Sequence, residues 1–480
     1  MKYSDNLDFL FHPRSIAIAG VSGDKNKFNG GLKYYEGLKK FGFKGELYPM
    51  NPAGGVIDGK KIYTSVNEIP GAVDYVISAI PARHTPGLVE ESLHKGVKAI
   101  HFFTSGFGEI ENEVGKKLQT EVISKAKKGG IRVVGPNCLG LYCPSGGLTF
   151  SPDLSREPGS VAIISQSGGN AAHCVSEGND RGVFFSKVIS MGNGADLNES
   201  DYLEYLAQDS ETSIITGYIE GVREGPRFLR ALSNACARKP VILLKVGTSK
   251  PGAEAALSHT TALAGSDGVW NGMLKQVGTI RVGSVEEIID VTVALQRMPP
   301  PAGNRVVIAG MGGGVSVIMA DGFFNAGLEL PRLNDKVRKD LIALYPNEAG
   351  RIFKNPVDLN NLETPEIFFN TIKAIDNYDE TDILVIQVAF DHYGLISNKE
   401  KELFIGLYKD LIRKLRARIS KPLAVVLHSY ANEDTRKPAH EMKRQLIDDG
   451  FAVFLSMQRA AVALGKYAGY YGKRKSSLDG

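Results

Sequence analysis

Short apolar runs rich in Ile, Val and Phe recur along this chain, each closing on a glycine, proline or asparagine turn. In the first third they fall at residues 15–21, 45–52, 73–81, 97–106 and 131–137, separated by stretches of helical periodicity such as 85–96. A short run with no polar face must be covered on both sides, and helices alternating with strands supply that cover. The pattern predicts an α/β fold with doubly wound parallel sheets, in which ligands bind outside the carboxyl ends of the strands.

The 480 residues exceed one core and suggest about three domains. A first boundary falls around residues 149–159, where Pro and polar residues break the pattern, and a second in the proline-rich stretch 297–305. Beyond the first boundary the chain repeats itself: 161–182 has the layout of 306–327, 213–221 of 382–390, and 239–250 of 421–432. The expected division is a Rossmann-like domain at 1–150 and two flavodoxin-like copies at 151–298 and 303–480. The copies differ where chemistry would sit. Ala389 stands in place of Glu220, and the second copy has no equivalent of Ser258-His259-Thr260-Thr261, which assigns catalysis to the first copy and packing or assembly to the second.

Hydrophobic residues at 43% and charged residues at 23% are ordinary for a soluble globular protein, and the formal charge of +4 is spread along the chain, so no nucleic-acid partner is expected. Cys138, Cys143, Cys174 and Cys236 show neither metal-ligand spacing nor a disulfide framework, which fits a reducing cytoplasm. No cleavable leader and no run of about 18 apolar residues is present, so neither secretion nor a membrane partner is expected.

His259 lies in a small-residue stretch that follows the strand-like run 241–246, a setting that exposes an imidazole. A lone histidine is by itself more often a surface or satisfied core residue. Glu220 closes another apolar run, where a carboxylate can accept a hydrogen bond from one imidazole nitrogen and leave the other free to attack. Ser165, Gln166, Ser167, Gly168 and Gly169 end a third run and open a helix, forming either a phosphate or oxyanion cradle or a plain N-cap.

In the first domain, Gly20, Val21, Ser22, Gly23, Asp24 and Lys25 form a glycine turn that departs from a strict GxGxxG. It serves a phosphate or simply a tight connection. The second run ends in Asn51 and Pro52, without the acidic residue that grips an NAD ribose; that disfavours NAD and leaves another adenine nucleotide ligand open. The loop from Gly135 to Gly140 carries Cys138, which either faces a thiol or thioester or is a small core residue. Asn355-Pro356-Val357-Asp358-Leu359 reads equally as a functional motif and as a capped turn.

Taken in order, SIAIAGVS, GELYPMNP, VDYVISAIP, SGFGE, GPNCLGLY, SQSGG, ISMGNGADLNESDYLEYLAQD, YIEG, KPVILLKVG, SHTTALAG, NPVDL and FAVFLSMQRAAVALGKYAGY resemble the nucleoside-diphosphate-forming acyl-CoA synthetases of the succinyl-CoA synthetase superfamily, over residues 15–470. The third domain and NPVDL point to the ADP-forming acetyl-CoA synthetase branch. The resemblance implies that acyl-CoA and phosphate exchange to give a bound acyl phosphate and free CoA, that His259 takes the phosphoryl group, and that a mobile segment delivers it to ADP. Glu220 then positions the histidine, and Ser165, Ser167, Gly168 and Gly169 hold the phosphate. CoA would lie along Gly20, Ser22, Gly23, Asp24, Lys25, Asn51, Pro52, Ile80 and Pro81, with Thr104, Ser105, Asn137 and Cys138 toward its pantetheine and thiol end.

Two positions depart from the family pattern: Thr261 stands where SHTG is usual, and Ala53 and Gly54 where a Lys often follows Asn-Pro. No stretch resembles an ATP-grasp module. The resemblance therefore implies an α subunit in an α2β2 assembly, with ADP or ATP and Mg²⁺ bound by a separate ATP-grasp β subunit. Two further readings share these residues: a related CoA ligase for a different acid, and a non-catalytic CoA-sensing or scaffold protein.

Overall fold

The five apolar runs of the first third are strands: β1 (Ser15–Ala19), β2 (Glu46–Met50), β5 (Tyr75–Ser78), β6 (Ala99–Phe102) and β7 (Arg132–Val134), with a small antiparallel hairpin, β3 (Val56–Ile57) and β4 (Lys60–Lys61), after β2. The structure is a computed structural model that describes residues 7–24, 29–110, 112–259, 266–310, 313–345, 353–358, 364–389, 406, 410–428 and 433–478. It divides into two units, Met1–Ile288 and Ile289–Gly480.

In the first unit, the first sheet is parallel throughout in the order β2-β1-β5-β6-β7. Counted in chain order along the sheet this is 2-1-3-4-5, the flavodoxin-like winding, whose crevice opens between the carboxyl ends of its first and third strands. Ala17, Val76 and Ile100 from its central strands and Val133 from the edge strand β7 are fully buried. The helix Gly30–Phe41 is capped at one end by Asn29, whose side chain accepts from Leu32 N, and at the other by Gly42 in the left-handed region.

The second sheet of that unit contains β8 (Gly140–Tyr142), β9 (Val161–Ser165), β10 (Phe185–Ser190), β11 (Ile214–Ile219), β12 (Val241–Lys245) and β13 (Ile280–Val282), in the order β13-β12-β11-β9-β10-β8. Only β8 is antiparallel: it is a short edge strand, supplied by the chain as it leaves the first sheet, and pairs Val188 with Tyr142 and Ser190 with Gly140. The five parallel strands again wind 2-1-3-4-5, so the crevice falls between β9 and β11. Tyr218 is in register with Ser165 there. A part-buried ion pair also links the two sheets of this unit, since Arg132 at the start of β7 donates to the buried Asp196 at 3.0 and 3.3 Å, and Val133 N donates to the same carboxylate at 2.8 Å.

The second unit carries β14 (Val306–Gly310), β15 (Val357–Asp358), β16 (Ile383–Ala389), β17 (Leu423–His428) and β18 (Ala452–Phe454), all parallel in the order β15-β14-β16-β17-β18. This is the winding of the second sheet, as the internal repeat predicts. Asn355 in the Asn-Pro motif is engaged in tying this sheet together: its side chain donates to Val306 O at 2.7 Å and accepts from Ile308 N at 3.1 Å. Among the described residues no helix is long and apolar enough to cross a membrane.

Candidate functional site

At the carboxyl edge of the first sheet a cavity of about 420 Å³ opens in the crevice between β1 and β5. Gly20, Asn51, Pro52, Ile80 and Pro81 line it, together with His84 and Glu91, which local sequence patterns did not single out. Gly20 is required by geometry. Its φ is +98°, and a Cβ there would lie 2.7 Å from the carbonyl oxygen of Ala79. Two of the chosen polar groups are spent on shaping the rim. Asn51 donates to Val21 O at 3.0 Å and accepts from Ala53 N at 3.0 Å, and Ser22 Oγ accepts from Asp24 N at 3.1 Å. Gly23 and Asp24 are exposed, and Lys25 lies outside the described residues.

At the edge of the second sheet, Ser165 ends β9 and Ser167 caps the helix Gly168–Asp180. Ser165 Oγ donates to Ser167 O at 2.7 Å, and Ser167 Oγ accepts from Asn170 N at 3.3 Å, so both hydroxyls serve the turn. A Cβ at Gly169 would meet nothing within 4 Å, whereas one at Gly168 would lie 2.8 Å from Leu139. Glu220 follows β11 directly and is buried, and its Oε2 has no hydrogen-bond partner among the described residues. A buried carboxylate oxygen without a donor is costly, so this atom calls for a proton donor that the described chain does not provide. Tyr218 and Asn170 complete the cluster: the Tyr218 hydroxyl hydrogen-bonds both Glu220 and Asn170, and burial, followed by the Glu220 charge, pushes its phenol up to about 12.

Two residues that hold Glu220, Gln166 and Lys245, stand within the SQSGG and KPVILLKVG motifs, but the sequence assigns neither a role of its own. The Gln166 side chain accepts from Glu220 N and, at 3.2 Å, from Gly221 N, and donates to Gly221 O at 2.8 Å. Lys245, the last residue of β12, donates to Glu220 O at 2.8 Å. The small-residue stretch before His259 is helical, and His259 is the final residue of the helix Lys250–His259. The alanines of that stretch account for the helix, since alanine is the best helix former. The side chain of His259 and residues 260–265 lie outside the described residues, Thr261 among them.

The two edges of this unit are joined by the loop between β7 and β8. Asn193 N donates to Pro136 O and Ala195 N to Gly135 O, both at 3.0 Å, and Leu139 N donates to Ser190 Oγ at 3.0 Å. Asn137 sits in the left-handed region and its N donates to Thr104 O, while Thr104 Oγ1 donates to Ile80 O at the cavity wall. Ser105 is exposed beside it. Cys138 points inward instead: it is buried, its Sγ faces Phe102 O at 3.8 Å, and burial pushes its thiol up, as befits a core residue. Beneath it lies His101, whose Nε2 donates to Cys138 O at 3.0 Å and whose pKa is pulled down to about 4 by burial, which keeps it neutral.

Comparison with known proteins follows the same division. The CoA binding domain family matches residues 14–144, and the succinyl-CoA ligase like flavodoxin domain family matches residues 158–295. The chain is 36% identical to the α subunit of ADP-forming acetate–CoA ligase II of Pyrococcus furiosus, covering 90% of this chain and 92% of that one. It is 34% identical to the α subunit of ligase I of the same organism, covering 96% of each. In structure it resembles a dinucleotide-forming acetyl-coenzyme A synthetase of Ca. Korarchaeum cryptofilum in complex with phosphate and ADP, with a TM-score of 0.83 and 28% identity over 98% of this chain and 99% of that one.

Proposed function

Since the chain belongs to the family of ADP-forming acetate–CoA ligase α subunits, we infer that it interconverts acyl-CoA, ADP and phosphate with a carboxylic acid, CoA and ATP. Phosphate displaces CoA from the acyl carbonyl to give an acyl phosphate, and an imidazole nitrogen of His259 then takes the phosphoryl group and releases the acid. Passing the group from His259 to ADP restores the free imidazole. Splitting the exchange at a covalent phosphohistidine replaces one difficult step by two easier ones.

The observation that carries this reading is the convergence at one sheet edge of the helix end at Ser167–Gly169, the buried Glu220 with an oxygen that has no partner among the described residues, and the strand leading to the helix that ends in His259. Glu220 fits the task of fixing the imidazole tautomer and stabilising the cation that develops on phosphorylation. The helix N-terminus presents amides to the transferring phosphate. The cavity bounded by Gly20, Asn51, Pro52, Ile80 and Pro81 suits the nucleotide portion of CoA, and the loop that carries Asn137, hydrogen-bonded to Thr104 O, leads from it toward the Glu220 edge. In this reading residues 1–150 bind CoA, residues 151–298 carry the phosphohistidine, and residues 303–480 form a second flavodoxin-like domain. ADP and Mg²⁺ belong to a separate ATP-grasp β subunit in an α2β2 assembly in the cytoplasm.

Mixed with its β partner and γ-labelled ATP, the chain should acquire an acid-labile, base-stable phosphate. If His259→Asn labels as well as the wild type, the phosphohistidine assignment fails.

A further inference from the structure

Lys245 is 4% exposed, and its ammonium lies at the same sheet edge as Glu220. It donates to Glu220 O at 2.8 Å and to Val246 O, and it sits 5.0 Å from the ring centroid of Trp270. Its hydrogen bonds therefore go to two strand-end carbonyls and its charge to an aromatic face, rather than to a carboxylate. A buried cation so compensated is retained at a cost, and the groups it bridges show what it does. Gln166 grips the amide side of Glu220 and Lys245 grips the carbonyl side. Val246 begins the connection to the helix Lys250–His259.

We propose that Lys245 is a positioning residue for phosphoryl transfer: its ammonium ties the end of β11 to the end of β12 and so fixes the Glu220 carboxylate relative to the segment that bears His259. This rests on the phosphohistidine reading above. Among the described residues, Glu220 after β11, Arg281 on β13, and Asp267 and Trp270 on the helix Asp267–Gln276 face the ammonium. Burial, followed by the Arg281 charge, brings the lysine down to about 8, against the opposing pull of Asp267 and Glu220. The clamp is charged below that pH and weakens as pH rises through it.

Trp270 is the chain's one tryptophan, so its emission reports the neighbouring charge. In the full chain the emission should titrate with a midpoint near 8, lose that step in Lys245→Met and Lys245→Arg, and shift the midpoint downward in Glu220→Gln. With the β partner at neutral pH, Lys245→Met should slow phosphohistidine formation about 10- to 100-fold with an unchanged KM for CoA. Lys245→Arg should restore most of the rate and move the alkaline limb upward. A wild-type emission that does not titrate, or a Lys245→Met chain that labels at the wild-type rate, overturns the proposal. A wild-type chain that takes no label overturns the phosphoryl-transfer reading instead, and the Glu220→Gln shift of the Trp270 midpoint then decides the clamp by itself.

Discussion

Gln166 holds Glu220 by its peptide and leaves its carboxylate free. The carboxamide accepts the amides of Glu220 and Gly221 and donates to Gly221 O, standing in for a neighbouring strand just where β11 runs out. The carboxylate oxygens are thereby reserved for Tyr218 and for whatever approaches from outside the described chain.

Gln166→Ala removes that substitute and strands two buried amides and a carbonyl. Urea unfolding should show a loss on the order of 2–3 kcal/mol. The labelling rate of His259 should fall more steeply than that of a surface control variant of equal stability. A variant that loses stability and keeps its labelling rate would show that Gln166 serves the fold alone.

Gly20→Ala separates the two edges experimentally. The new methyl would lie 2.7 Å from Ala79 O at a φ of +98°, so β1 and β5 must part or the turn must shift. The strain costs about 1–3 kcal/mol. Calorimetry should show CoA binding weakened by roughly tenfold or more, since about 1.4 kcal/mol is one decade. Phosphohistidine formation from ATP should change much less, because Glu220 belongs to the other sheet.

Glu199 gives a stability prediction with a definite sign. Burial is the main reason its carboxyl is raised from 4.5 to about 7. Between those values the folded chain holds a proton that the unfolded chain has already released, so stability falls as pH rises through the window. Glu199→Gln should therefore be the more stable chain at pH 8, by on the order of 3 kcal/mol, and the advantage should vanish as pH falls toward the ordinary carboxylate value. Chemical unfolding at a series of pH values measures it.

The strands were legible because a parallel strand buried on both faces leaves a bare apolar run, and residues 161–165 and 306–310 advertise their kinship in that way. Glu220 was legible for the related reason that a charge directly after such a run has to sit at the carboxyl edge. The supporting residues were not. Gln166 meets Glu220 across 54 positions of sequence, and nothing in the local spacing of either residue announces the other. Lys245 is, by sequence, only the polar residue near the end of the apolar run 241–246, and its meaning depends on the carbonyl it finds after the adjacent strand. Ser165 and Ser167 read as ligand donors from their hydroxyls, and Asn51 from the family resemblance, yet each first satisfies its own turn. Cys138, which residue chemistry left open, was decided by packing.

The strand β8 has an implication for how such a chain can be taken apart. Because residues 140–142 come from the connection out of the first sheet yet complete the border of the second, a fragment that begins at Ser160 would bare the backbone of β10 along Val188–Ser190. An unpaired strand border is a template for pairing with any other chain. Separated at the composition boundary, the second domain would carry a sticky flank that its intact form never shows. Residues 140–142 thus add a shared strand to the Arg132–Asp196 pair and the loop contacts that already link the two sheets, so the two are best expressed together.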